Sequence, residues 1–202
     1  MMLPPDPAVR GFLPDEEGEY LHALALDGTR SGPVLEIGSY CGRSTLWLAD
    51  AARQTNSVVF AIDHHRGSEE HQPGEFFHDP TLTDAQGQFD SLPEFRRNIS
   101  ASGFSETVIP IISSASLLAQ YWRSPLGLLF IDGGHSLDAA LADYRGWAHH
   151  VARNGILAIH DVFPNTEAGG QAPFTIWQMA SQSGLFAPIG QCGSLRALRR
   201  LS

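Results

Sequence analysis

Lysine is absent from the 202-residue sequence, and all thirteen basic side chains are arginine. The bias reads as genome composition, but it excludes Schiff-base chemistry on a lysine amine. Cysteine is nearly absent too: Cys41 and Cys192 have no Cys-x-x-Cys spacing and form no disulfide framework. A reducing, cytoplasmic compartment is the simpler expectation. Positive charge is in short supply. A net charge of −9 and a pI near 5.3 argue against a nucleic-acid phosphate backbone as partner. The opening MMLPPDPAVRGFLPDEE has no basic region followed by an apolar one, and no apolar run reaches membrane-spanning length. The expectation is a soluble chain with neither signal peptide nor transmembrane helix.

What the sequence does contain is four short, almost unbroken apolar runs: Pro33–Gly38, Ser57–Asp63, Leu128–Asp132 and Gly155–Asp161. Such runs suit strands buried on both faces, hence a parallel sheet covered by helices. Helical patterns lie between or after them, at about Arg43–Arg53, Leu92–Ala101, Leu137–Arg153 and Phe174–Ser183. The alternation predicts a doubly wound α/β domain. Val108–Ile112 is a further strand, placed nearer an edge by Pro110, and Gly190–Leu201 can close the sheet as a hairpin. With no internal repeat, residues 1–202 read as one domain, with 1–14 as an N-terminal extension. The polar stretch 64–88, rich in histidine, interrupts the rhythm and is either a functional lid or a plain solvated loop.

Val34-Leu-Glu-Ile-Gly-Ser-Tyr-Cys-Gly-Arg-Ser44 is the most informative segment. It sets two glycines between a strand and a helix start, where backbone can approach a ligand closely and helix amides face it. The Gly-x-x-x-Gly spacing differs from the dinucleotide Gly-x-Gly-x-x-Gly fingerprint. Asp63 ends the next strand, and Ser113-Ser-Ala-Ser116 follows the strand after that. A carboxylate can accept two hydrogen bonds from a ribose diol, whereas serines after a strand are equally ordinary helix caps. Phe130-Ile-Asp-Gly-Gly-His135 and Ile159-His-Asp-Val162 end two strands whose tips face the same crevice. Asp132, His135, His160 and Asp161 are therefore expected to converge. Oxygen and imidazole groups together suit a hard or borderline divalent ion. Taken singly, each has a plain alternative: Asp132 in a turn, His135 as a helix cap, His160 and Asp161 satisfying backbone groups.

The glycine segment resembles the first motif of class I S-adenosylmethionine-dependent methyltransferases. That resemblance covers about Asp15 to Arg200. It implies a Rossmann-like sheet of seven mostly parallel strands, the last antiparallel, with helices on both faces. It implies further that Glu36, Gly38, Ser39, Tyr40, Gly42 and Ser44 lie along the methionine part of the cofactor. Asp63 would then hold the ribose, and Ser114 and Ala115 would border the adenine. The strand-end cluster resembles that of metal-dependent O-methyltransferases of sugars and secondary metabolites. By that resemblance Asp132, His160 and Asp161 hold Mg²⁺ or Mn²⁺, although His160 stands where an acidic residue is more usual. His135, three residues beyond Asp132, is then the base, with Asp132 as its catalytic partner.

The expected reaction is O-methylation of a small-molecule hydroxyl, preferably on a glycosylated acceptor; homo-oligomer formation stays open. In the 64–88 stretch, Arg66, Glu69, Glu70 and His71 can bind polyols, and Phe76 and Phe77 can anchor a lid or stack on a ring. A zinc site from His64, His65, His71, His78 and Asp79 matches no familiar spacing. His149 and His150 are expected as solvated surface residues. An NAD(P)-dependent oxidoreductase, a metallohydrolase and a non-catalytic cofactor-binding module remain alternatives at this level.

Overall fold

The structure, a computed structural model, describes residues 5–68, 71–72, 74–75 and 78–202. Helix α1 (Asp15–Gly28) precedes β1 (Val34–Ile37), α2 (Arg43–Gln54), β2 (Val59–Asp63), α3 (Leu92–Ala101) and β3 (Val108–Ile112). Then follow α4 (Ala115–Ala119), β4 (Leu126–Ile131), α5 (Leu137–Trp147), β5 (Val151–Ile159), α6 (Ala172–Gln182), β6 (Phe186–Cys192) and β7 (Leu195–Arg200). The seven strands form one sheet in the order β3-β2-β1-β4-β5-β7-β6. Pairings from β3 through β5 are parallel, and β7 runs antiparallel to both its neighbours. The expected doubly wound, Rossmann-like sheet is what forms. Among the described residues no helix is long and apolar enough to cross a membrane.

The apolar runs became strands because they are buried on both sides. Every residue of β1 and β4 is buried, and strand alternation deals their side chains to two cores. Val34, Leu128 and Phe130 pack with α1, α2 and α3, whereas Leu35, Ile37, Leu129 and Ile131 pack with α5 and α6. The same period of two sends Glu36 to the Val34 side, towards α2. Strand order reverses between β1 and β4, and the tips of these strands open the crevice in which such folds bind ligands.

One expectation about elements needs correcting. The helix expected to run to Arg153 stops at Trp147, and after a 3₁₀ turn at Ala148–His150 the chain enters β5 at Val151. Val151 pairs with Leu126, but the next partners are Ile156 and Leu128, so the strand bulges between them around Asn154 at φ 65°. That turn keeps His149 exposed but leaves His150 only partly so, its Nε2 buried without a partner among the described residues. The 1–14 extension is followed by a helix that the apolar runs did not announce. Asp15, Glu16 and Glu17 fill the first turn of α1, favourable beside the amide end of its dipole.

The 64–88 stretch is pinned down where it is described. His65 is buried and shares a hydrogen bond with Ser91 Oγ at 2.8 Å, Arg66 pairs with Asp84 at 2.7 Å, and Thr83 bridges Phe89. Leu82, Phe89 and Cys41 form a small apolar cluster under Tyr40. The five proposed zinc ligands do not converge, since among the described residues a single metal-competent cluster occurs and it lies elsewhere. Glu69, Glu70, Phe76 and Phe77 lie outside the described residues.

Candidate functional site

One cavity of about 830 Å³ opens at the tips of β1, β2 and β4. At one end the β1–α2 turn forms its wall. Gly38 has φ +87°, and a Cβ there would overlap the Asp132 carbonyl, so only glycine lets the exits of β1 and β4 touch. Ser39 is buried on the wall, and its Oγ has no hydrogen-bond partner among the described residues. Tyr40 adopts a left-handed φ of 46°, which costs a non-glycine residue about 1–3 kcal/mol. That twist aims its N–H at Asp63 Oδ2, 2.8 Å away.

Asp63 Oδ1 accepts from the His65 N–H at 2.7 Å. Two backbone donors thus fix the carboxylate at the cavity edge and leave about two of its four lone-pair sites open. Ser114 lines the cavity with Ala115 and also caps α4, accepting from Leu117 N at 3.4 Å. Ser114 is thus a helix cap that also lies on the cavity wall.

Two residues placed along the cofactor by resemblance are located elsewhere. Glu36 is fully buried beneath the turn, accepting from Ser44 Oγ and Thr45 Oγ1 at 2.5 Å each. It does not line the cavity, and burial pushes its carboxyl up to about 8 despite those two hydroxyls. Its work is to clamp β1 to the start of α2. Gly42 likewise faces away: it begins α2 at φ +96°, with Phe95 and Ile99 beside its Cα. Ser44 does reach the cavity lining.

The other end of the cavity is acidic and histidine-bearing. Asp132, His135 and Asp161 offer ligand atoms within 4.8 Å of one another. His135 Nε2 lies 3.2 Å from Asp161 Oδ2. His135 does not cap α5, because Ser136 does, accepting from Ala139 N. Asp161, at φ 54°, is a second strained residue on the wall. Burial alone would raise its carboxyl, but hydrogen bonds from His135 and His160 hold it well below the usual carboxylate range.

His160 is not available as the expected metal ligand. Its Nδ1 lies 2.9 Å from Asp132 Oδ1 and its Nε2 lies 2.7 Å from Glu17 Oε2, and the ring is buried behind the wall. Both ring nitrogens face carboxylates, so both must carry hydrogens, and the ring is an imidazolium. Burial opposes that charge, but Asp132, Asp161 and Glu17 override it and push the pKa up to about 12. In the cluster, His135 stands where His160 was expected.

Two acidic residues escaped the sequence reading. Glu17 of α1 is one. Asp143 of α5 is the other: it lies on the cavity wall, nearly buried, with no hydrogen bond or ion pair among the described residues. Burial pushes its carboxyl up to about 7. Its signal was available, since Ala140, Asp143 and Trp147 share one helix face by three-and-four spacing and the outer two are core residues.

The cavity fits the groups that the fold family implies. The orphaned Ser39 hydroxyl, the glycine approach at Gly38 and the spare acceptors of Asp63 suit a polar nucleoside-containing ligand. Two carboxylates and an imidazole within 4.8 Å suit Mg²⁺ or Mn²⁺.

Comparison with known proteins bears on the same segment. A family model described as a methyltransferase domain matches residues 35–162. The cofactor-bound structure of Rv0187 from MTB is 20% identical, with a TM-score of 0.67 over 95% of this chain and 82% of that one. The O-methyltransferase NovP gives a TM-score of 0.71 at 14% identity, over 93% of this chain and 80% of NovP. TomG is an O-methyltransferase of Streptomyces achromogenes involved in tomaymycin synthesis, solved in complex with SAM. It gives a TM-score of 0.65 at 15% identity, over 97% of this chain and 83% of TomG. At such identities the likeness is one of fold.

Proposed function

Because the chain belongs to the methyltransferase-domain family, we propose that it moves the methyl group of S-adenosylmethionine to a hydroxyl oxygen of a small molecule, assisted by Mg²⁺ or Mn²⁺. Family membership sets aside the oxidoreductase and hydrolase alternatives. The observation that carries the reading is one cavity joining two ends: a glycine turn with the Asp63 carboxylate, and the Asp132–His135–Asp161 cluster. S-adenosylmethionine, when bound, supplies a methyl group on a sulfonium leaving group. A divalent ion held by Asp132 and Asp161 would lower the pKa of the acceptor hydroxyl.

The protein's own groups do the rest. Asp63 grips the ribose diol, Gly38 and Ser39 border the amino-acid end, and Ser114 and Ala115 border the base. Asp132 and Asp161 hold the cation, and His135 accepts the acceptor's proton; such general-base help is worth roughly 10²–10⁴ in rate. Fixing the oxygen in line with the methyl lowers the barrier further.

The convergence of His135 with both carboxylates supports a second role for it, as third ligand. The hydroxyl acceptor is supported by the description of NovP and TomG as O-methyltransferases. A sugar is the preferred acceptor, and the exposed Phe12 ring with Tyr40 and Phe89 offers a stacking surface on the cavity wall. Calorimetric titration with S-adenosylhomocysteine, with and without Mn²⁺, tests the core of the reading. Absence of any heat of binding would sink it.

A further inference from the structure

Glu17 lies 143 residues before His160 in the chain, yet its side chain is buried against that ring. Its Oε1 accepts from the Ser194 N–H at 2.7 Å and its Oε2 from Ser194 Oγ at 3.3 Å, in the turn between β6 and β7. The turn is moulded around it: a Cβ on Gly193 would overlap Glu17 Oε1. Carried on α1, the carboxylate is therefore held from two sides, by the β6–β7 turn and by the His160 ring. Burial raises its carboxyl, but the hydrogen bonds from His160 and Ser194 outweigh that and leave it lowered, hence ionised.

The ring that Glu17 holds is the one that holds Asp132. His160 Nδ1 meets Asp132 Oδ1 at 2.9 Å and lies 3.5 Å from Asp161 Oδ2. Asp132 is thus tethered through Oδ1 to the ring while it lines the cavity. We propose that Glu17 is a positioning residue: acting through His160, it fixes the Asp132 carboxylate in the orientation from which it serves a divalent cation together with Asp161. This rests on the metal-assisted reading above. The physical argument is one of rotamer freedom. An aspartate tethered by a ring that is itself clamped at its far nitrogen cannot swing, whereas a ring anchored at one nitrogen can rotate and take Asp132 with it. Partners one step behind a metal ligand commonly contribute 10–100-fold in metal affinity.

The test uses the full chain and Mn²⁺ as probe, with affinity read by electron paramagnetic resonance of the free ion and S-adenosylhomocysteine affinity read by calorimetry. Glu17→Gln is isosteric but cannot accept from both His160 and Ser194 as a carboxylate does, and Glu17→Ala removes the anchor altogether. Both are expected to weaken Mn²⁺ binding about 10–100-fold while leaving S-adenosylhomocysteine affinity within twofold, because Glu17 does not line the cavity. Combining Glu17→Gln with His160→Gln should cost no more than the His160 change alone, since both act along one path. If Glu17→Ala fails to fold, Glu17→Gln carries the test.

Wild-type Mn²⁺ affinity in folded Glu17 variants would overturn the proposal and leave the metal site standing. Additive losses in the double variant would overturn it too. A wild-type protein that binds S-adenosylhomocysteine but no Mn²⁺ would overturn the metal reading and the role of Glu17 with it.

Discussion

Glu36 offers the sharpest test of the electrostatics. It is fully buried with two hydroxyl donors and, among the described residues, no cation beside it. Its carboxyl rises from the ordinary 4.5 to about 8, chiefly through burial. In the unfolded chain the group loses its proton near 4.5; in the native protein it keeps it until about 8. Between those limits the native state binds the extra proton, so stability must fall as pH rises, by up to about 1.4 kcal/mol per pH unit. The stabilisation is fully present below pH 4.5 and is lost as pH climbs through 8. The whole interval corresponds to a ceiling of roughly 5 kcal/mol.

The perturbation that isolates this effect is Glu36→Gln. The amide can still accept from one hydroxyl and donate to the other, so packing and hydrogen bonding survive while the titration disappears. Denaturant unfolding of both proteins at intervals from pH 5 to 9 gives the difference in stability at each pH. Contributions from Asp143 and the histidines cancel in that difference. The wild type should lose ground steadily against Glu36→Gln up to about pH 8 and then hold a constant gap. Parallel stability curves across the range would refute the reasoning, because they would show Glu36 ionising alike in both states.

Other outcomes follow from the site. Asp63→Ala should weaken S-adenosylhomocysteine binding by about 1.5–3 kcal/mol per lost charged hydrogen bond, read by calorimetry, while freeing the Tyr40 and His65 amides. Gly38→Ala should lower the melting temperature by several degrees and impair ligand binding, since the new Cβ meets the Asp132 carbonyl at a left-handed φ. His135→Ala should leave S-adenosylhomocysteine affinity unchanged and abolish turnover across a panel of hydroxylated acceptors. Retained Mn²⁺ affinity in that variant identifies a base, and lost affinity identifies a ligand.

How much of this was legible depended on distance along the chain. The strands announced themselves because central parallel strands are apolar on both faces, and Pro33–Gly38 needed no partner to be read. Gly38 and Asp63 were legible because turn chemistry and strand ends are local. Glu36 was misplaced for a reason that local pattern contained: Val34 and Glu36 share a face by strand alternation, and that face belongs to α2. Glu17 was invisible, because nothing near it in sequence points to a histidine 143 residues further along the chain. His160 was misread for the same reason, since its role is set by a carboxylate from α1. The early start of β5 was hidden because Val151 pairs across a bulge that no periodicity marks.

The acidic residues around the cavity divide into two kinds, and the division follows from their neighbours. Asp132, Asp161 and Glu17 gather about one imidazolium, which keeps Asp161 and Glu17 ionised well into the acid range. Among the described residues Glu36 and Asp143 have no cation beside them, and burial pushes their pKa values up to about 8 and 7. Groups with environments that drive their pKa values apart mark out separate chemical roles. The negative charge of the metal-competent cluster is therefore concentrated at the tips of β4 and β5, where His135 lies beside it. On the cavity wall, the neutral form of Asp143 can offer a hydrogen-bond donor as well as an acceptor. Of the four described acidic residues on the cavity wall, Asp132 and Asp161 thus form an anionic focus beside His135, placed where the hydroxyl of the proposed reaction would give up its proton.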